Sequence, residues 1–250
     1  MIIMVKFINS TDKRSSIRHV GKDVKSDSSI LLFIKSPEQG RVKSRLALAV
    51  DEETALQVYK SFVLDITDTL KERGQPLTIC FHPWNSKETV QSWLGKDLSY
   101  APQRGEDLGE RMENAFKDSF SEDVEKVVLI GSDIPDLTAT MMDEAFSPLE
   151  LQDAVIGPAS DGGYYLIGFR KHAFLPEVFR GIPWSTGSVF QQTMEIFLRS
   201  GMRVHVLPEW NDVDTLSDLR ALFVRNMDTW FAKSRSMSLC RKIFAGEDRF

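Results

Sequence analysis

Four short stretches of the sequence combine residue types that suit phosphate and metal chemistry. The first spans residues 35–45, and its cations are Lys35, Arg41, Lys43 and Arg45. Lysine and arginine bind phosphate oxygens through charge and paired hydrogen bonds, and Gly40 permits close approach to the backbone. This stretch predicts a phosphate-binding loop, although a basic surface loop would have a similar composition.

The second stretch is acidic and follows an apolar run at residues 127–130. It reads Gly131-Ser-Asp133-Ile-Pro-Asp136. A carboxylate beside phosphates is explained by a shared divalent cation, because the like charges otherwise repel. Asp133 is therefore a candidate metal ligand, with a turn-forming aspartate as the alternative. Asp136 is predicted to cap or flank the helix that follows.

The third and fourth stretches also carry aspartates. Asp161 is followed by Gly162 and Gly163, which form either a tight turn or an open backbone that a sugar can approach. Asp212 and Asp214 point the same way if their segment is extended. Either of these two supplies a second metal ligand or a cap for the next helix.

Ligands of open α/β sheets bind at the carboxyl ends of strands, so the predicted strands decide where these stretches meet. Apolar runs predict strands at 30–34, 77–81, 127–130, 154–156, 164–169 and 203–207. Helical spacing predicts helices at 51–73, 87–94, 108–120, 141–149, 188–199 and 215–231. Their alternation predicts a mostly parallel sheet with helices on both faces, in a single domain over residues 29–250. Residues 1–28 are predicted to be a flexible N-terminal extension.

Composition narrows the function classes. The 250 residues carry a net charge of −5, which excludes a highly basic nucleic-acid coat. No apolar run approaches the roughly 18 residues of a membrane span. The N-terminus lacks the basic region of a signal peptide, so a cytoplasmic protein is expected. Cys80 and Cys240 form neither a disulfide framework nor a zinc site, and the histidines lack ligand spacing.

Taken in order, these motifs resemble the uncharacterised bacterial DUF2064 proteins of the nucleotide-diphospho-sugar transferase superfamily. The resemblance extends over residues 31–222. Its motifs are Gly40-Arg-Val-Lys-Ser-Arg-Leu46, Gln103-Arg-Gly-Glu-Asp-Leu-Gly-Glu-Arg-Met112, Gly131-Ser-Asp-Ile-Pro-Asp-Leu137, Gly157-Pro-Ala-Ser-Asp-Gly-Gly-Tyr-Tyr-Leu-Ile-Gly168, Ile182-Pro-Trp-Ser-Thr186 and Asp212-Val-Asp-Thr215.

The resemblance implies a Rossmann-like three-layer α/β/α sandwich of the glycosyltransferase-A type. It also implies a role for each motif. The residues implied to bind the nucleotide are Lys35, Gly40, Arg41, Lys43, Arg45, Gln103 and Gly105. Of these, Gln103 and Gly105 would face the base. Asp133 and Asp214 would hold Mg²⁺ or Mn²⁺, and Asp161, Gly162 and Gly163 would line the sugar or acceptor site.

The resulting hypothesis is a metal-dependent transferase that uses a nucleotide sugar and a small-molecule acceptor. Lys43, Arg45 and the metal would stabilise the departing diphosphate, and Asp161 would orient or deprotonate the acceptor. One alternative is a nucleotidyltransferase that takes a nucleoside triphosphate and releases pyrophosphate, with Lys43 and Arg45 on the β- and γ-phosphates. The other is a nucleotide-binding module without turnover. It would be favoured if Asp133 and Asp214 were too far apart to share an ion.

Overall fold

A seven-stranded sheet forms the centre of the protein, in the order β3-β2-β1-β4-β6-β5-β7. The computed structural model describes residues 26–120 and 123–245. The strands are β1 Ser28–Lys35, β2 Leu77–His82, β3 Ser99–Pro102, β4 Lys126–Ile130, β5 Ala154–Pro158, β6 Tyr164–Arg170 and β7 Val204–Val206. Only β6 is antiparallel to its neighbours, β4 and β5. The prediction of a mostly parallel α/β sheet is confirmed.

The described helices lie on both faces of this sheet. They are α1 Ser44–Val50, α2 Glu52–Glu72, α3 Lys87–Leu94, α4 Leu108–Ser119, α5 Ala139–Phe146, α6 Val189–Arg199, α7 Leu216–Arg225 and α8 Arg235–Phe244. Strand β1 shows why two layers form, because its alternate residues are buried on opposite sides. Ile30 and Leu32 pack with α2, α3 and α5, whereas Leu31 and Phe33 pack with α4 and α6. No helix in the described part of the chain is long and apolar enough to cross a bilayer.

The second face of α2 forms a further core. Phe62 on this helix is fully buried against residues of α1, α7 and α8, including Leu46, Leu219 and Met237. Asp65, also on α2, accepts hydrogen bonds from the backbone and hydroxyl of Ser236, so the start of α8 is fixed to α2.

Several boundaries differ from the predictions. The helix predicted over 215–231 ends at Arg225, because the side-chain amide of Asn226 donates to Asp136 and its oxygen accepts from Thr229. A separate helix, α8, then follows, and α1 and β3 are also additional elements. Strand β1 begins at Ser28, within the predicted extension, because the Asp27 carbonyl accepts from the backbone of Lys126. The rest of that predicted extension, residues 1–25, lies outside the described residues.

Strand order creates a crevice at one edge of the sheet. β1 lies between β2 and β4, so the loop after β1 and the loop after β4 leave the sheet beside each other. In doubly wound folds this is the topological switch point, where ligands bind.

Candidate functional site

A cavity of about 420 Å³ opens at the carboxyl ends of β1, β2 and β4. Segments that are distant in the sequence line it, including the loops after β1 and β4, the β5–β6 turn and the segment before α7. Its charged and titratable lining residues are Lys35, Lys43, Tyr59, His82, Arg111, Asp133, Asp161, Tyr164, Tyr165, Asp212 and Asp214. The fold therefore brings members of all four predicted stretches to one cavity.

Lys43 lies between two of these aspartates. Its ammonium contacts the Asp133 carboxylate, and lies 3.1 Å from Asp214 Oδ1 and 2.6 Å from the Val213 carbonyl oxygen. The Lys43 side chain is 2% exposed and approaches the Phe62 ring. Burial alone would lower the pKa of Lys43, but the charges of Asp133 and Asp214 outweigh it and raise this pKa above its usual value.

The backbone at Lys43 supports this arrangement. Lys43 precedes α1 and adopts the left-handed conformation, with φ of 47° and ψ of 42°. Such a conformation is uncommon for a residue with a side chain and costs about 1–2 kcal/mol. The contacts of the ammonium with Asp133 and Asp214 offset that cost, so the loop after β1 is held against the loop after β4.

Asp212 and Asp161 add negative charge to the same region. Burial, followed by the charges of Asp161 and Asp214, raises the pKa of Asp212 to about 6. Ser160 Oγ donates to Asp212 at 3.4 Å. Four aspartates line the cavity with one ammonium, that of Lys43, placed among them.

The donor chemistry of this region fits a hard divalent cation. Asp133 and Asp214 converge on one positive group, and all their donors are oxygens. In the part of the chain that the structure describes, no three His, Cys, Asp or Glu side chains are grouped closely enough to bind a metal by themselves. Mg²⁺ often uses one or two carboxylates, with waters and substrate phosphates completing the shell. The two carboxylates suit such a shared site, and Lys43 now occupies the point between them.

The Asp161-Gly162-Gly163 segment forms a tight turn at the cavity wall. Asp161 Oδ1 accepts a 2.8 Å hydrogen bond from Gly163 N. Asp161 and Gly163 line the cavity, whereas Gly162 packs against Gly187. Gly162 has a φ of +88°, and a Cβ there would come within 2.2 Å of the Gly187 carbonyl oxygen.

The basic loop is divided between the cavity and the surface. Lys35 and Lys43 line the cavity, but Gly40, Arg41 and Arg45 are not among its lining residues. The Arg45 side chain is 71% exposed, and its guanidinium lies 3.9 Å from Asp214 Oδ2. Arg45 therefore lies on the protein surface, beside the aspartates of the cavity.

Gln103 and Gly105 follow β3. The Gln103 amide nitrogen donates to the carbonyl oxygens of Ile34 and Cys80 at 3.1 and 2.7 Å, which joins β1 to β2 beside the cavity. Gly105 lies outside the lining residues. Its φ is +142°, and a Cβ there would lie 2.6 Å from the Glu110 Cβ, so glycine lets this loop lie against α4.

Asp136 flanks α5, as one form of the prediction has it, but it does not cap this helix. Thr138 caps α5 by accepting from Met141 N, whereas Asp136 is buried and accepts from Trp210, Arg225 and Asn226. These bonds tie the loop that carries Asp133 to the segment that carries Asp214. Thr215 caps α7 in a capping box with Asp218, so neither Asp212 nor Asp214 serves as the cap of that helix.

Further lining residues had no assigned role in the sequence. Arg111 belongs to the motif that begins at Gln103, and its guanidinium donates to the carbonyls of Gly105 and Glu106. Burial, then Arg111 and Lys35, lower the pKa of His82. His82 follows a predicted strand, which was the only local signal for it. Trp184 also lines the cavity and packs edge-on against Tyr164.

Comparison with known proteins places this architecture among related chains. The family model described as "Uncharacterized protein conserved in bacteria (DUF2064)" matches residues 65–186. A structure from Desulfovibrio desulfuricans G20, provisionally assigned as a nucleotide-diphospho-sugar transferase, is 44% identical, with a TM-score of 0.85. That match covers 88% of this chain and 96% of the other.

More distant structures share the fold alone. Rv0371c from Mycobacterium tuberculosis H37Rv is 15% identical with a TM-score of 0.51, over 79% of this chain and 98% of that one. The 4-diphosphocytidyl-2C-methyl-D-erythritol synthase of Anaerococcus prevotii DSM 20548 is 12% identical with a TM-score of 0.51, over 77% and 95% of the two chains. No curated protein matches the chain.

Proposed function

The chain belongs to the DUF2064 family of the nucleotide-diphospho-sugar transferase superfamily, and we propose that it is a metal-dependent transferase acting on a nucleotide sugar. The observation that carries the proposal is the convergence of Asp133 and Asp214 on a single cationic group in a cavity at the switch point of the sheet. A non-catalytic module would be favoured if these carboxylates were too far apart to share an ion. Both of them contact the Lys43 ammonium, which supports the catalytic proposal instead.

The proposed roles follow from where the side chains lie. Asp133 and Asp214 would hold Mg²⁺ or Mn²⁺, which would supply positive charge to stabilise the leaving diphosphate. Lys43 and Arg45 both approach Asp214, at 3.1 and 3.9 Å, so they are proposed to neutralise phosphate charge beside the metal. Arg41 and the backbone at Gly40 are proposed to contact phosphates as well.

The acceptor is proposed to bind on the side of Asp161. The bond from Gly163 N fixes the orientation of the Asp161 carboxylate, and Gly162 keeps this turn against Gly187. The acceptor hydroxyl attacks the anomeric carbon, the bond from that carbon to the diphosphate breaks, and Asp161 takes the hydroxyl proton. Among the described residues, no donor bonds to the side-chain oxygen of Gln103. This oxygen is proposed to accept from a nucleobase amino group, with Gly105 nearby.

A binding experiment tests the metal and nucleotide parts of this proposal. Thermal unfolding is followed with nucleoside mono-, di- and triphosphates and nucleotide sugars, with Mn²⁺ or with EDTA. A Mn²⁺-dependent rise in Tm with a nucleotide sugar is expected, and Asp133→Asn should abolish it. Asp97→Asn changes an exposed aspartate outside the cavity lining and should leave the rise intact. An undiminished rise in Asp133→Asn would contradict the metal assignment.

The leaving group separates glycosyl from nucleotidyl transfer. Products are separated chromatographically after incubation with the ligand that raises Tm and a panel of acceptors. Release of a nucleoside diphosphate is expected. Release of pyrophosphate from a triphosphate would instead establish the nucleotidyltransferase alternative.

A further inference from the structure

Three basic side chains lie together at the end of the cavity formed by β1, β2 and α4. Lys35 and His82 are register partners on the parallel strands β1 and β2, so their side chains leave the same face of the sheet. That face is the one covered by α4, which carries Arg111. All three residues line the cavity.

These basic groups differ from Lys43 in having no carboxylate partner among the described residues. Within residues 26–120 and 123–245, no ion pair joins Lys35, His82 or Arg111 to an acidic side chain. Arg111 is instead oriented by the carbonyls of Gly105 and Glu106, at 3.0 and 3.2 Å. Carbonyl oxygens fix a guanidinium in place without neutralising its charge, so its positive charge remains available to a ligand.

The electrostatics of His82 agree with this arrangement. Partial burial and the two neighbouring cations hold the pKa of His82 below its ordinary value. An anion placed among the three groups would reverse the repulsion and favour the protonated imidazole. Arg111 and Lys35 are the charged groups that act on His82 from α4 and β1.

We propose that Lys35, His82 and Arg111 form a binding subsite for a phosphoryl group, separate from the carboxylates that hold Lys43. The inference rests on the proposed function, because it takes the cavity as the substrate site. It adds to that function a second place where the protein binds an anionic group of the ligand. The phosphoryl group belongs either to the nucleotide or to a phosphorylated second substrate. In both cases the ligand spans the cavity from the cationic end to the acidic end.

The test uses the ring signals of His82 in NMR titrations of the full-length protein without metal. His82→Asn assigns these signals among the four histidines. Saturating inorganic phosphate or pyrophosphate is expected to raise the pKa of His82 by about one unit, since a nearby opposite charge favours the protonated ring. Arg111→Gln and Lys35→Met should each weaken phosphate binding by at least about fivefold. Arg199→Gln, an exposed arginine on α6, is the matched control and should bind like the unaltered protein.

Two further arms identify the source of the phosphoryl group. A nucleoside diphosphate that raises the pKa of His82 assigns the subsite to the nucleotide, whereas a sugar phosphate with this effect assigns it to the second substrate. Lys35→Met is expected to fold normally, because the Lys35 side chain is exposed and makes no ion pair among the described residues. Weaker phosphate binding in this variant is therefore not explained by misfolding. An unchanged pKa of His82 at saturating phosphate, pyrophosphate and both organic ligands would overturn the proposal. Because neither metal nor turnover is needed, this result is independent of whether transfer occurs.

Discussion

The ammonium of Lys43 contacts the carboxylate of Asp133, although 90 positions separate the two residues in the chain. A second carboxylate, that of Asp214, approaches the same ammonium from a segment 171 positions away. The contact joins the loops after β1 and β4 to the segment before α7. It also places a lysine where the proposed divalent cation would be held, so the two cations compete for the same oxygens.

Replacement of Lys43 should therefore make the protein less stable but more responsive to metal. In Lys43→Met, Asp133 and Asp214 lose their shared counter-ion and repel each other. We expect a loss of about 1–2 kcal/mol of unfolding free energy in EDTA, below the value for a fully buried pair because both carboxylates are partly exposed. Mn²⁺ should raise Tm more in this variant than in the unaltered protein, as measured by differential scanning fluorimetry. Lys96→Met, on the exposed surface, is the control, and equal Mn²⁺ responses in all three proteins would contradict competition.

Asp212 should destabilise the protein near neutral pH in the absence of metal. Its pKa is raised to about 6 from the ordinary value of 3.8, so the ionised form is disfavoured in the folded state. The penalty is fully present above about pH 6, shrinks as pH falls from there towards 4, and disappears once both states are protonated. Asp212→Asn should raise stability at pH 7 by on the order of 1 kcal/mol, because Asp212 is only half-buried and solvent screens it. Urea unfolding in EDTA at pH 4 and pH 7 measures this difference, and an equal gain at both values would be inconsistent with it.

Asp136 should contribute more to stability than an ordinary surface aspartate. It is 3% exposed and accepts from Arg225, Asn226 and Trp210, so Asp136→Ala leaves several donors without their acceptor. We expect a loss of about 3–5 kcal/mol in urea unfolding.

Asp143→Ala is the matched control for Asp136. Asp143 also pairs with an arginine, Arg73, but its side chain is 66% exposed. The loss from this control should be below about 1 kcal/mol. Similar losses of unfolding free energy in the two variants would show that the buried network around Asp136 stabilises the protein no more than an exposed ion pair does.

Gly162 should tolerate no side chain. Alanine there would be placed at a φ of +88° with its Cβ 2.2 Å from the Gly187 carbonyl oxygen, so the turn that carries Asp161 must shift. Gly162→Ala is expected to cost more than about 3 kcal/mol by thermal unfolding, from strain and overpacking together. Gly201→Ala isolates the strain, because Gly201 has a φ of +67° with nothing within 4 Å of a Cβ. That control should lose only about 1 kcal/mol, and equal losses would remove the packing argument.

Local patterns in the sequence were sufficient for most of the elements that build the sheet. The apolar run at 127–130 and the helical spacing at 51–73 depend on residues that are close together in the sequence. The same is true of the capping box of Thr215 with Asp218. Strand β3 was missed because it has only four residues, none of them buried. Its identity as a strand comes from pairing with β2.

The partners of the site residues depended on tertiary structure. Helix α5 begins three residues after Asp136, which favours a cap locally, but the actual donors to Asp136 are 74 to 90 positions away. In the same way, the basic loop predicted Lys43 as a cation, while its pairing with Asp133 required β1 and β4 to be neighbours. The sequence by itself therefore determined which chemical groups follow the strands. The order of the strands decided which of those groups meet, because an interaction between distant residues exists only after the sheet has brought them together.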